Sequence, residues 1–257
     1  VDAFAIAPDQ ATIAYYSGGQ IWLLLASEDT ATSLLTLDEV NHLTFNADGS
    51  VLAYDSGGSI FALPLNGEPP QSLLSQYTDP QYSPDNSTIL MRIGDGDLGL
   101  LIIATGEVRR LGAFTWGKWL SASQVAVYGA PVAGTQPGVY VADLKGDGQP
   151  QLAYAVSPGK QLVDVALAKD GNLRLLQTNA APVSGPSAVE VIAIPLTGGN
   201  IISSESAGFI GEPVLSPDGR FIAGYASAAG NLVIYDIDEH QERVLLQPPR
   251  SHAFVWR

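Results

Sequence analysis

The sequence predicts an all-β fold, a six-bladed β-propeller of four-stranded antiparallel blades. Three observations predict it. An acidic turn recurs along the chain at a near-constant spacing. Short apolar strands flank each turn in the same order. The 27 glycines and 17 prolines among 257 residues break the chain into short pieces rather than long helices.

The turns set the frame. Asp9 sits in "APDQ", Asp48 in "NADG", Asp85 in "SPDN", Asp170 in "AKDG" and Asp218 in "SPDG". Around Ala122, "SASQ" has the same shape without the acid. The successive intervals are 39, 37, 37, 48 and 48 residues. A period near 40 with short strands marks a propeller rather than a helical solenoid. Where the turn carries them, Pro presets φ and Gly takes positive φ, and the Asp can accept from the backbone two residues on. These acids are therefore turn devices before they are anything else.

Each repeat supplies strands A to D in order. Repeat one (3–38) has strand A before Asp9, then "TIAYY", "QIWLLLA" and "TSLLTL". Repeat two (42–76) has "HLTFNA", "VLAYD", "SIFALPL" and "QSLLS". Repeat three (79–112) continues after Asp85 with "TILMR", "LGLLIIA" and "EVRRLG". Repeat four (116–157) has "QVAVYG", "GVYVADL" and "QLAYAV". Repeat five (164–206) has "NLRLLQ", "AVEVIAIPL" and "NIISS". Repeat six (212–247) has "FIAGYA", "NLVIYDI" and "ERVLLQ". Alternating, β-branched and aromatic residues suit half-buried strands, and four such strands make one blade. "HAFVWR" then reads as a further strand A. Residues 252–256 are expected to close the ring on the first blade. The alternative is a fragment of a seven-bladed or larger propeller.

The stretch "EPVLSPDGRFIAGYASAAGNLVIYDIDEHQERVLL" resembles the TolB-type, WD-like propeller repeat with its W-S-P-D-G-x-x-I-A-Y signature. The resemblance runs along the whole chain, strongest at 212–246 and weakest in repeats four and five. It implies the propeller fold. It does not imply one activity, because that family includes periplasmic partner-binding proteins, polysaccharide lyases and the propeller domains of serine peptidases.

Composition excludes several function classes. A formal charge of −14 repels phosphate backbones and anionic lipid, so no nucleic-acid partner is expected. The chain has no cysteine, hence no disulfide, thiolate metal site or cysteine nucleophile. No apolar run approaches the ~20 residues of a membrane span. A periplasmic, extracellular or cell-surface protein is expected, monomeric as a propeller and open to membership of a larger chain or complex.

Candidate sites follow from repeat position. The residue six before each turn begins strand A and belongs at the mouth of the channel: Ala3, His42, Asp79, Trp116, Asp164 and Glu212. His42, Asp79, Trp116, Asp164 and Glu212 are the candidate ligand-binding rim. No cofactor is required, but His42, Asp79, Asp164 and Glu212 are donors that suit calcium or manganese. The longer B–C connections at 129–138 and 179–188 are a second candidate surface. Phe45, Tyr82 and Trp119 share a repeat position and read as packing. "GDGDLG" and "KGDGQP" lack a full calcium loop and read as hairpin turns. No nucleophile elbow or H-E-x-x-H is present. The expected function is a binding or scaffold module for a protein, peptide or glycan. The alternatives are a metal-assisted polysaccharide lyase or hydrolase at the channel mouth, or the propeller half of a larger peptidase.

Overall fold

The computed structural model describes residues 2–25, 27–28, 30–131, 136–180, 187–226 and 231–246. Residues 132–135 and 181–186 of the two long B–C connections and the whole expected closing strand at 252–256 lie outside these residues. The chain divides into two compact units, 1–123 and 124–257.

The first unit contains three complete sheets. Strands β1 (Ala3–Ile6), β2 (Thr12–Ser17), β3 (Gln20–Leu25) and β4 (Thr32–Thr36) pair in chain order. So do β5 (Leu43–Phe45), β6 (Val51–Ser56), β7 (Ser59–Pro64) and β8 (Gln71–Ser75), and then β9 (Tyr77–Tyr82), β10 (Thr88–Ile93), β11 (Leu98–Ile102) and β12 (Glu107–Gly112). Strand β13 (Phe114–Ser121) ends the unit. Among the described residues, the first sheet has four strands, all from residues 3–36.

The second unit carries β14 (Gln124–Gly129), β15 (Gly138–Asp143) and β16 (Gln151–Ala155). A seven-stranded sheet follows: β17 (Lys160–Leu167), β18 (Asn172–Asn179), β19 (Ser187–Pro195), β20 (Ser203–Leu215), β21 (Phe221–Ala226), β22 (Leu232–Asp236) and β23 (Gln241–Leu246). Strand β20 spans 13 residues and serves two blades. Ser203 to Phe209 pair with β19, and Phe209 to Leu215 pair with β21. The sequence leads one to expect a strand at Asn200–Ser204 and a break before Glu212. Instead Ile201 and Ile202 stand exposed ahead of the strand. A register shift between Ile210 and Val214 absorbs the change of direction without a turn. Counting β20 twice, the strands make six four-stranded blades, and the fold is a six-bladed β-propeller. Among the described residues there is no helix, so none is long and apolar enough to cross a membrane.

The recurring turn is one device repeated. Asp218 Oδ1 accepts from Ser216 Oγ at 2.7 Å, Ser216 Oγ accepts from Phe221 N at 2.9 Å, and Gly219 has φ +68°. In repeat three, Asp85 Oδ1 accepts from Ser83 Oγ at 2.7 Å, Ser83 Oγ accepts from Thr88 N at 3.0 Å, and Asn86 takes φ +61°. Asp9, Asp48 and Asp170 likewise accept the backbone N–H two residues on. The Ala11 N–H holds the Asp9 carboxyl below the ordinary carboxylate range, and the Ser50 hydroxyl, followed by the Ser50 N–H, does so for Asp48.

Packing joins neighbouring blades within each unit. Ala5, Ala14 and Ile21 of the first sheet share a core with Leu43, Phe45, Leu52 and Tyr54 of the second. Ile60 meets Ile89, Met91 and Leu101 of the third. In the second unit Leu176, Val189 and Val191 meet Leu215, Ile222 and Val233. Each fully buried aliphatic side chain stabilises by about 1.5–3 kcal/mol. Trp119 fits its reading as packing: its indole N–H donates to the Gln81 carbonyl at 3.0 Å, tying β13 to β9.

Gly138 shows how tightly the strands approach. A Cβ there would lie 2.8 Å from the Tyr154 carbonyl oxygen and 2.7 Å from Leu152 Cδ1. The leucine tip can rotate away but the backbone carbonyl cannot. Gly138→Ala is expected to lower stability by about 1–3 kcal/mol, read as a lower urea midpoint at unchanged slope.

Candidate functional site

Seven residues after the turn acid, at the end of strand B, the first three repeats place three unlike polar side chains: Tyr16, Asp55 and Arg92. All three reach the segment that leads into the next blade. Tyr16 Oη donates to the carbonyls of Leu37 and Asp38 at 3.1 and 2.9 Å. Asp55 Oδ2 accepts from Asp79 N at 2.9 Å. Arg92 Nη2 donates to the Thr115 carbonyl at 2.5 Å, and its Nη1 to that of Gly96 at 3.0 Å. The position is filled by whichever donor or acceptor the crossing backbone lacks.

Asp55 builds the site. Its residue is fully buried at 0% exposure. Its Oδ1 accepts from the backbone N–H of Asn41 and His42 at 3.2 and 2.9 Å. Its Oδ2 takes Asp79 N and lies 2.8 Å from His42 Nδ1. Every donor around this carboxylate is therefore fixed by β5, β9 or the segment before β5. Burial pushes its carboxyl up, but the His42 ring and the backbone donors outweigh burial and leave it below the usual range.

The same contact orients His42. With Nδ1 turned to Asp55, Nε2 faces outward, and the side chain is 48% exposed. Nε2 stands 4.0 Å from Asp79 Oδ1. Hydrogen bonding to Asp55 raises the His42 pKa above 6.5; burial opposes this, and the nearby Asp79 charge adds to it. Asp79 is held at φ +54°. It lies in a β-bulge, because the register shifts between Leu90 and Arg92 of the facing strand. A left-handed non-glycine costs of order 1 kcal/mol or more and persists where its surroundings over-determine it; here the bond to Asp55 does so.

The other rim residues separate from this pair. Trp116 is half-buried in β13, next to the Thr115 carbonyl that Arg92 engages. Ala3 is buried in β1. Asp164 belongs to the second unit and is buried at 8% exposure. Its Oδ1 accepts from Val165 N at 2.7 Å and its Oδ2 from Leu215 N at 2.8 Å, which fastens β17 to β20. A register shift between Leu162 and Asp164 turns it inward. Glu212 lies in β20, and its side chain lies outside the described residues. The "GDGD" carboxylates of Asp95 and Asp97 both pair with Arg110 at 2.5 and 2.7 Å, as a hairpin turn does.

Calcium takes about six to eight oxygen ligands, whereas the first unit offers His42 Nε2 and Asp79. Asp164 has a backbone donor on each oxygen. Among the described residues no group of three or more His, Asp or Glu is arranged to hold a metal ion. Sequence reasoning missed Asp55 and Arg92. The available signal was a charged residue ending an otherwise apolar strand B.

No protein-family profile matches the sequence, and no curated protein matches it significantly. Solved structures do match in fold. An oligogalacturonate lyase in complex with manganese superposes with TM-score 0.69 at 11% identity, covering 93% of this chain and 75% of the lyase. The oligogalacturonate lyase of Vibrio parahaemolyticus gives 0.68 at 11% identity, over 94% and 76%. TolB from Acinetobacter baumannii gives 0.53 at 17% identity, over 93% of this chain and 61% of TolB. At such identities the similarity is one of fold.

The His42–Asp55 pair gives a pH signature. A raised histidine pKa stabilises the fold fully below about pH 6.5, and that gain is lost as pH rises through the raised value. The lowered Asp55 pKa acts the other way: its contribution is present above 3.8 and is lost as pH falls through the depressed value. The melting-temperature difference between wild type and His42→Gln is therefore expected to be larger near about pH 5.5 than near about pH 8.5. A difference independent of pH contradicts this.

Proposed function

We propose that this propeller is a binding module whose rim at His42 and Asp79, with Trp116 close in sequence to the Arg92-anchored strand, receives an amine-bearing group of a protein, peptide or glycan. One observation carries the reading. In the neutral ring with its proton on Nδ1, His42 Nε2 and Asp79 Oδ1 stand 4.0 Å apart as two acceptors, both residues bonded to the same buried carboxylate. One ammonium at about 2.8–3.0 Å from each would bridge them. The neutral ring with its proton on Nδ1 presents Nε2 as an acceptor, and an indole near a binding rim offers a face for stacking. An acidic, soluble module of this kind suits the periplasm, the cell surface or the medium.

A second reading has a specific observation in its favour. An imidazole oriented through Nδ1 by a buried aspartate, with Nε2 outward, is also what a general base requires. Two of the fold neighbours are oligogalacturonate lyases, one in complex with manganese. In that reading His42 would take a proton from a uronate ring, and Asp79 beside it would serve a metal. Against it stands the small number of donors beside His42.

Two measurements separate the readings. Titration with chitosan oligosaccharide, followed by tryptophan fluorescence, is expected to show saturable binding that its fully N-acetylated counterpart lacks. Asp79→Asn should weaken it at least about tenfold, the loss of a charge-assisted hydrogen bond. Equal binding of the acetylated sugar, or no effect of Asp79→Asn, contradicts the amine site. Incubation with oligogalacturonate and manganese is expected to give no ultraviolet-absorbing unsaturated product. A manganese-dependent rise abolished by His42→Ala establishes the lyase reading instead.

A further inference from the structure

The charge of this chain is unevenly placed. Residues 1–91 hold eleven Asp or Glu and no Lys or Arg; residues 92–257 hold all twelve Lys and Arg with the other fifteen acids. The first two blades, β1 to β8, thus contain no cation except histidine. The arginines of the third blade are engaged locally: Arg92 with two carbonyls, Arg109 with Glu107, and Arg110 with Asp95 and Asp97.

A groove of about 280 Å³ opens within this acidic stretch. One wall is the outer strand β4, through Leu34 and Leu35. The other is the end of β7 and the turn after it, through Leu63, Leu65, Glu68 and Pro70. Glu68 is the one charged residue among its lining. The walls are held from below: Leu63 is buried, and Leu34, Leu35 and Leu65 pack against the core of the first two blades. A register shift in β4 explains the adjacent leucines. Ile21 pairs with Leu35 and Trp22 with Ser33, so Leu34 is the extra residue of a bulge and both side chains reach the groove. The consecutive prolines Pro69 and Pro70 stiffen the opposite wall, since each fixes its own φ and restricts the residue before it. Strand β4 is the last of its sheet.

We infer that this groove seats a short segment of a partner protein, with one or two large apolar side chains flanked by Lys or Arg. The volume falls below the roughly 300–1,000 Å³ of small-molecule pockets, and suits an anchoring side chain rather than a whole ligand. The aliphatic floor gains from covering such a group. The flank selects its neighbours, because the first two blades, with eight acids from residue 3 to 75 and no Lys or Arg, attract a basic segment and repel an acidic one. The bulge disrupts the β4 ladder, so side-chain insertion rather than strand addition is the mode. The groove is separate from the His42–Asp79 rim, and either proposal can fail without the other.

The test uses the full chain, isotope-labelled, and three synthetic peptides. One carries Leu-Trp-Leu between paired lysines, one has glutamates in place of the lysines, and one keeps the lysines but has Ser in place of Leu and Trp. The lysine–leucine peptide is expected to bind and to shift the amide signals of Leu34, Leu35, Leu65 and Glu68. Its affinity should fall at least tenfold between about 50 and about 500 mM salt. Glu68→Lys, an exposed change that leaves the fold intact, should weaken it about threefold, while Asp79→Asn leaves it unchanged. Equal binding of the glutamate peptide or of the Ser peptide overturns the inference. So do shifts confined to the His42–Asp79 rim, or no shifts at all.

Discussion

Each time a propeller chain leaves one blade and enters the next, it exposes backbone groups that belong to neither sheet. An unmet N–H or C=O in a buried place costs about 1–3 kcal/mol. In the first unit a side chain at the end of strand B meets that need. Tyr16 donates to two carbonyls, Arg92 donates to one in the following blade, and Asp55 accepts three N–H groups, one of them from the following blade. Asp164 does similar work from another position, binding the backbone of Val165 and Leu215. The polarity of the side chain follows the polarity of the orphaned group.

The candidate site is a consequence of this need. Asp55 is buried because the crossing backbone requires an acceptor there, and a buried carboxylate in turn requires donors on both oxygens. His42 supplies the remaining one, and its ring is thereby fixed with Nε2 outward. Asp79 is held in a left-handed bulge by the same oxygen. Fastening the blades and orienting the rim are one arrangement of atoms. A change at Asp55 is expected to affect both, whereas a change at Asp79 leaves most of the junction in place.

The turns and strands were legible because their chemistry repeats. Asp85 and Asp218 make nearly the same bonds, and any Asp in that setting would. The junction was not legible, because Tyr, Asp and Arg share a register but no sequence likeness. Counting six residues back from each turn picked out His42, just before β5, and Asp79 in β9, which stand 4.0 Å apart. Counting could not foresee that Asp164 is buried and bonded to the Leu215 backbone, because the register shift beside it is invisible in a repeat count. The fusion of two strands into β20 escaped for a related reason. Residues 207–211 fall between the repeats as counted from the turns, but the paired strands on either side hold the segment extended.

The account turns on Asp55 as the acceptor that joins the second and third blades. Amide hydrogen exchange in Asp55→Asn tests this most directly, because the substitution keeps the shape and replaces one acceptor oxygen with a donor. The account predicts that the Asn41, His42 and Asp79 amides lose protection together, while the turn amides of Ser50 and Ser87 keep theirs. It also predicts an overall loss of about 2–4 kcal/mol, the cost of buried groups left without partners. Unchanged protection at Asp79 with unchanged stability would contradict it.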